Sequence, residues 1–260
     1  MRGVLPLVVA CAVAASVAGV AAQRGQGARA AQPAQSAQAR APFDLTGSWV
    51  SIVSEDWRWR MITPSRGDYA RVPLNPAGRK IAESWDMARD AAQGEQCRPF
   101  GVGNIQRMPG RQQISWQDPN TLKIEYDAGT QTRLFHFGQS SPPPAEKTWQ
   151  GWSVATWELP GGEGREGAGS PRYGSLKVVT TRMRTGYFRK NGVPYSEQMV
   201  LTEYFDRHSE ANGEEWFTVM AIAEDPVYLN EPFVVTTSFK KEPNNSKWHP
   251  TPCEIAPPAK

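Results

Sequence analysis

From Thr46 onward the chain is divided into short runs in which β-branched or aromatic residues alternate with polar ones, the period of two that marks strands. The pattern predicts strands over Thr46–Val53, Trp57–Ile62, Gln112–Trp116, Leu122–Tyr126, Gln131–Phe137, Trp152–Glu158, Ser175–Met183, Glu197–Phe205, Glu215–Ala223 and Pro232–Phe239. Asp118-Pro119-Asn120-Thr121 and Asp127-Ala128-Gly129 each separate two such runs by a few residues, which is hairpin chemistry. One segment departs from this period. Asn75 is suited to cap a helix with Pro76 at its first position, and Ala77, Ile81, Trp85 and Ala88 then share one face, predicting a helix over one opening or flank of the sheet. About ten consecutive strands and one helix predict an all-β fold, an up-and-down antiparallel barrel or strongly curved meander, because closure removes exposed edges. A β-sandwich is the alternative. The glycine-rich stretch Leu159–Arg172 reads as an insertion in a hairpin, since a phosphate-binding loop would lead into a helix and here a strand follows.

The N-terminus has a different pattern. Arg2 precedes an apolar run from Val4 to Ala22, and Val20-Ala21-Ala22 before Gln23 matches a signal-peptidase site. Residues 1–22 therefore read as a secretory signal peptide, with a membrane anchor or a lipoprotein cleaved before Cys11 as weaker alternatives. Residues 23–42 are Ala, Gln, Gly, Arg, Pro and Ser with almost nothing to bury, which predicts a disordered tether. Residues 43–260 then form a single domain, a size ordinary for one barrel.

The formal charge of +3 changes meaning once this leader is set aside. Removing Arg2, Arg24, Arg29 and Arg40 leaves 25 of the 29 basic residues against 26 acidic ones, a net charge of about −1. That removes the electrostatic case for a nucleic-acid partner. Cys97 and Cys253 remain after cleavage, an even pair in an oxidising compartment, and predict one disulfide closing a long loop. Neither has a second Cys or His at zinc-like spacing, and the three histidines, His136, His208 and His249, are far apart, so no metal and no cofactor is expected.

Gly47-Ser48-Trp49, on the first strand, resembles the Gly-x-Trp element of lipocalin-like barrels. Thr148-Trp149-Gln150-Gly151-Trp152-Ser153, Thr156-Trp157-Glu158, Asn191-Gly192-Val193-Pro194-Tyr195-Ser196-Glu197 and Asp225-Pro226-Val227-Tyr228-Leu229 together resemble a large group of exported bacterial proteins that share such motifs. The resemblance covers roughly the C-terminal two thirds and implies a lipocalin-like, calycin-type barrel, with no reaction attached. The Gly-Asp turn that commonly follows Trp-Glu in that group is replaced here by the glycine-rich insertion.

Ten tryptophans suit the flat faces of sugars and aromatic rings. Trp57, Trp59, Trp152 and Trp157 are the candidate ligand-stacking residues, with Arg133 and Arg182 to meet negative charge. In the run Trp57-Arg58-Trp59-Arg60, a strand would put the aromatic rings on one face and the cations on the other. Glu203 shares a strand face with Met199, Leu201 and Phe205, an apolar row that would favour its neutral form unless an arginine such as Arg182 or Arg184 paired with it. His136 shares a face with Thr132 and Leu134, opposite Arg133, Phe135 and Phe137, and is the candidate general base. Glu158 and Asp225 are weaker carboxylate candidates.

Two functions follow. One is an exported module holding a glycan or aromatic compound between tryptophans. The alternative is a metal-independent lyase, isomerase or hydrolase using His136 and Glu203 as acid and base, which requires both side chains to face the lumen. A surface interaction protein with a Trp-rich rim is a third reading.

Overall fold

Nine of the ten runs read as strands are the staves of a closed barrel. The computed structural model describes residues 35–138, 146–159 and 174–258. The barrel strands are β1 (Gly47–Ile52), β2 (Arg111–Asp118), β3 (Thr121–Tyr126), β4 (Gln131–Phe137), β5 (Trp152–Glu158), β6 (Ser175–Thr181), β9 (Val200–Ser209), β10 (Glu215–Glu224) and β11 (Phe233–Glu242). Between β6 and β9 lies a small separate hairpin, β7 (Gly186–Tyr187) with β8 (Pro194–Tyr195). Around the barrel the order is β1-β11-β10-β9-β6-β5-β4-β3-β2.

An odd number of strands cannot alternate in direction all the way round a closed ring. One neighbouring pair must run the same way, and here it is β4 with β5, paired Phe135 to Ser153, His136 to Val154 and Phe137 to Ala155. The wholly antiparallel expectation is corrected at this seam. Parallel neighbours need a long return connection, which the chain between Phe137 and Trp152 provides.

The tenth run is not a strand. Trp57–Arg60 is one turn of helix, α1, opened by Asp56 in the left-handed region at φ 53°. Its Trp-Arg alternation mimics a strand, but Arg60 is drawn inward, where it donates to the carbonyl of Arg107 at 2.9 Å and to the Ser51 hydroxyl at 3.0 Å. Tertiary hydrogen bonding overrides the local pattern.

The predicted helix forms as α2 (Pro76–Glu83), with the Asn75 side chain accepting from the Gly78 amide at 2.9 Å. Its buried face differs from the expected one: Gly78 and Ala82 are covered while Ala77 and Ile81 are exposed. Gly78 is needed there because a Cβ would come within 2.5 Å of the Tyr228 carbonyl. The chain breaks after Glu83 and restarts as α3 (Met87–Ala92), capped by Asp86, so Trp85 is buried in the break and Ala88 is exposed on the second helix.

Alternation along the strands sorts side chains into an inner and an outer set. One apolar cluster fills the lower barrel around Trp49, Phe135, Trp157, Phe205, Phe217 and Phe239. A second, around Phe188, Val193, Tyr195, Leu201 and Phe233, belongs to the opposite end. That end is roofed by the β1–β2 connection with its helices, by the β7–β8 hairpin and by the β10–β11 turn.

The motif residues build this roof. Asp225 accepts from the Ser196 hydroxyl at 2.9 Å and from the Val227 amide at 2.9 Å, tying the Pro-x-Ser loop to the Asp-Pro turn. Tyr195 is ringed by Gly101, Gly103 and Gly186, each of which would place a Cβ within 2.5 Å of it.

Residues 35–42, which composition assigns to the tether, pack on the barrel's other end. Ala37 is fully buried, its amide donating to Asn120 at 2.8 Å and its carbonyl accepting from Trp157 Nε1 at 2.9 Å. Residues 1–34, which take in the segment read as a signal peptide, Cys11 and the rest of the expected tether, and most of the glycine-rich insertion lie outside the described residues. The C-terminal tail returns to the roofed end, where the Thr251 amide donates to Asp127 and Cys253 bonds Cys97. Among the described residues no helix is long and apolar enough to cross a membrane.

Candidate functional site

Parity decides what the lumen contains. On β4 the inward residues are Arg133, Phe135 and Phe137, and on β9 they are Leu201, Glu203 and Phe205. Arg133 and Glu203 meet between the two apolar clusters as a two-pronged ion pair, Nη1 to Oε1 at 3.0 Å and Nη2 to Oε2 at 2.5 Å. Thr180 accepts from Arg133 Nη2 at 3.2 Å, and Ser153 is 2.8 Å from Thr180. Burial opposes the charge on Arg133, but the adjoining carboxylate more than reverses this and holds the guanidinium pKa above its ordinary value. Tyr126, its pKa pushed up by burial, donates to Gln106 at 2.6 Å. The space beside this layer, between Gln106, Arg107, Glu203 and Thr237, is about 20 Å³, room for about one water molecule. The lumen is therefore filled by side chains, and the partner of Glu203 is Arg133 rather than Arg182 or Arg184.

His136 points the other way. It stacks on Trp152 on the outer wall, ring centroids 3.9 Å apart and planes 12° from parallel. The proposed acid and base thus lie on opposite faces of the barrel wall, and the pairing expected of them is not formed. Burial lowers the His136 pKa, with Asp118 opposing. Because the folded value lies below the ordinary 6.5, the unfolded chain takes up this proton first on acidification. Stability from this group is complete above pH 6.5 and declines as pH falls towards the folded value. The expected result is a decrease in Tm as pH falls below about 6.5 that His136→Phe, which keeps the stack, reduces; an unchanged pH slope would contradict it.

The remaining candidates are scattered. Trp57 is exposed on α1, and Trp59 is half-buried beneath Arg189, whose guanidinium carbon is 4.5 Å from its ring centroid. Arg182 is exposed just beyond β6 in the left-handed region at φ 57°. Trp157 alone of the four tryptophans faces inward, at the barrel end closed by residues 35–42.

There it joins Trp116, the inward residue at the end of β2, which sequence reasoning passed over although it shares parity with Gln112 and Ile114. Phe137 bridges the two, with centroids 5.6 Å from Trp116 and 5.3 Å from Trp157, and Phe43 packs edge-on against Trp157. Trp116, Trp157 and Phe43 border a recess of about 320 Å³ with Leu122, Asp44 and Thr46. Asp44 is already engaged, accepting from the Thr46 amide at 2.8 Å and hydroxyl at 3.0 Å.

A larger recess, about 500 Å³, lies outside the barrel between α3 and the C-terminal tail. Two of its carboxylates are committed, Asp90 to Arg98 and Tyr187, and Glu95 to Arg98 and Arg184.

A closed nine-stranded barrel with buried aromatic clusters is the class these observations define, and it is compatible with the lipocalin-like architecture that the sequence motifs resemble. No family model, no curated protein and no solved structure matches the chain.

Proposed function

We propose that this is an exported barrel that binds a small ring-bearing ligand, a glycan unit or aromatic compound, at its mouth beside Trp116 and Trp157. The leader reading and the Cys97–Cys253 bond support export. The observation that carries the binding reading is the recess of about 320 Å³ bordered by two tryptophans, set over a lumen that is otherwise full. That volume lies at the lower end of the range for small-molecule sites and suits one or two rings. Trp157 is buried, with its Nε1 committed to Ala37, so the half-buried Trp116 supplies the ring surface a ligand would stack on. Turnover has less support, because Glu203 is sealed against Arg133 and Asp44 is held by Thr46.

The test is tryptophan fluorescence with calorimetry against monosaccharides, disaccharides and simple phenols. A saturable response is expected, with affinity at least tenfold lower in Trp116→Ala, equivalent to about 1.4 kcal/mol. Trp152→Phe, on the outer wall, leaves it unchanged. Silence across the panel, or affinity in Trp116→Ala unchanged from the unsubstituted protein, rejects the site.

A further inference from the structure

The roofed end contains more buried positive charge than its neighbours neutralise. Arg60, Arg107, Arg189 and Lys190 are all at least nine-tenths buried there. Arg60 pairs with Glu55 at 3.2 Å, and Arg107 pairs through Nη2 with Asp56 at 3.0 Å. Asp56 is shared, since Arg71 also binds it, and Asp68 is taken by Arg58. Apart from the Trp59 ring beneath it, Arg189 has only the Ala70 carbonyl, at 2.7 Å, and Lys190 only the Arg60 carbonyl, at 2.9 Å; among the described residues neither has a carboxylate within 4 Å.

Unused donors accompany the excess charge. Nε and Nη1 of Arg107, Nε and Nη1 of Arg189, and Nε1 of Trp59 are buried without a hydrogen-bond partner. An orphaned buried donor costs about 1–3 kcal/mol, so native structures rarely tolerate one, and five together call for an acceptor. Water would supply lone pairs but not charge, whereas an anion supplies both. Asp56 gathers the two arginines into one region: it takes Arg107 Nη2 at 3.0 Å and also Arg71, and Arg189 Nη2 reaches the carbonyl of Ala70, the residue before Arg71, at 2.7 Å. Arg107 opposes the charge on Arg189 there, which an anion would relieve. The lumen shows the contrast: Arg133, equally buried, is matched by Glu203.

We infer that the roof binds a small oxyanion, the carboxylate or phosphate group of a small molecule, between Arg107 and Arg189. The planar fork of arginine suits either group, and Trp59 Nε1 is a further donor in the same cluster. This site is independent of the mouth recess at the other end of the barrel.

The experiment titrates the disulfide-intact protein with sodium phosphate and, separately, sodium acetate, at ionic strength matched with sodium chloride, following heat and Tm. One saturable site is expected for at least one anion. Preference for phosphate identifies a phosphate-bearing ligand, and preference for acetate a carboxylate. Arg189→Gln should lose at least tenfold in affinity, while Arg58→Gln, at the exposed pair with Asp68, retains it. Should Arg189→Gln fail to fold, Arg189→Lys keeps the charge but not the fork and should show the same loss. Absence of saturable binding of either anion to the unsubstituted protein, or unchanged affinity in the Arg189 variants, overturns the inference.

Discussion

Glu203→Ala is expected to lower the unfolding free energy by about 3–5 kcal/mol, the cost of leaving a buried charge without its partner. Glu203 and Arg133 have side chains 1% and 0% exposed and lie between two apolar clusters, so the orphaned guanidinium has no route to solvent. Thr180 gives it one neutral acceptor, and Arg133 Nε is unpartnered even in the intact protein. Against a total stability of about 5–15 kcal/mol, such a loss brings the barrel close to unfolding. The converse variant separates charge from packing. Arg133→Met with Glu203→Leu removes both ions and should recover most of the loss, because replacing a whole buried pair is often neutral or stabilising. Chemical denaturation of the three proteins is the measurement. A loss below about 1 kcal/mol in Glu203→Ala would mean that water reaches the pair.

Breaking the disulfide has the other large effect. Cys97 and Cys253 are 156 residues apart, so the bond closes most of the barrel into one loop. In the chain-entropy picture its removal costs about 5 kcal/mol by releasing the unfolded chain. Cys97→Ser with Cys253→Ser should therefore unfold at much lower denaturant, and the unsubstituted protein should fall to the same midpoint once reduced. The native tail has further anchors, the Thr251 amide to Asp127 at 2.8 Å and the Thr130 hydroxyl to the Thr251 carbonyl at 2.9 Å, so the fold persists where stability permits. Equal midpoints with and without reductant would show that these contacts, rather than the covalent bond, hold the tail.

Much of the architecture is legible in local pattern. Alternation located all nine barrel strands, and turn chemistry located the hairpins at Asn120 and Gly129. The exception, Trp57–Arg60, shows the limit of that signal: four residues cannot distinguish a strand from a helical turn whose arginine is pulled inward. Ala37 makes a similar point. Its segment has the composition of a tether, yet one alanine and a few backbone groups suffice when the barrel offers a fitted end.

The site was less legible. Parity placed His136 and Arg133 on opposite faces of β4, and Glu203 with Leu201 and Phe205, but could not say which face was inside. Arg133 and Glu203 are 70 residues apart and meet only because closure brings their strands to face one another. Arg107, Arg189 and Lys190 belong to none of the motifs that stand out in the sequence, the nearest of which begins at Asn191.

What this sequence determined by itself is the period of its strands, the positions of its turns and the pairing of Cys97 with Cys253, because each depends on neighbouring residues or on simple counts. Only the tertiary structure decided the parallel seam, the partner of Glu203, the outward turn of His136, the gathering of Trp116 and Trp157 at one recess, and the burial of Arg107 and Arg189 in the roof. Those depend on which strands become neighbours when the ring closes, and ring closure is a property of the whole chain that no local pattern encodes.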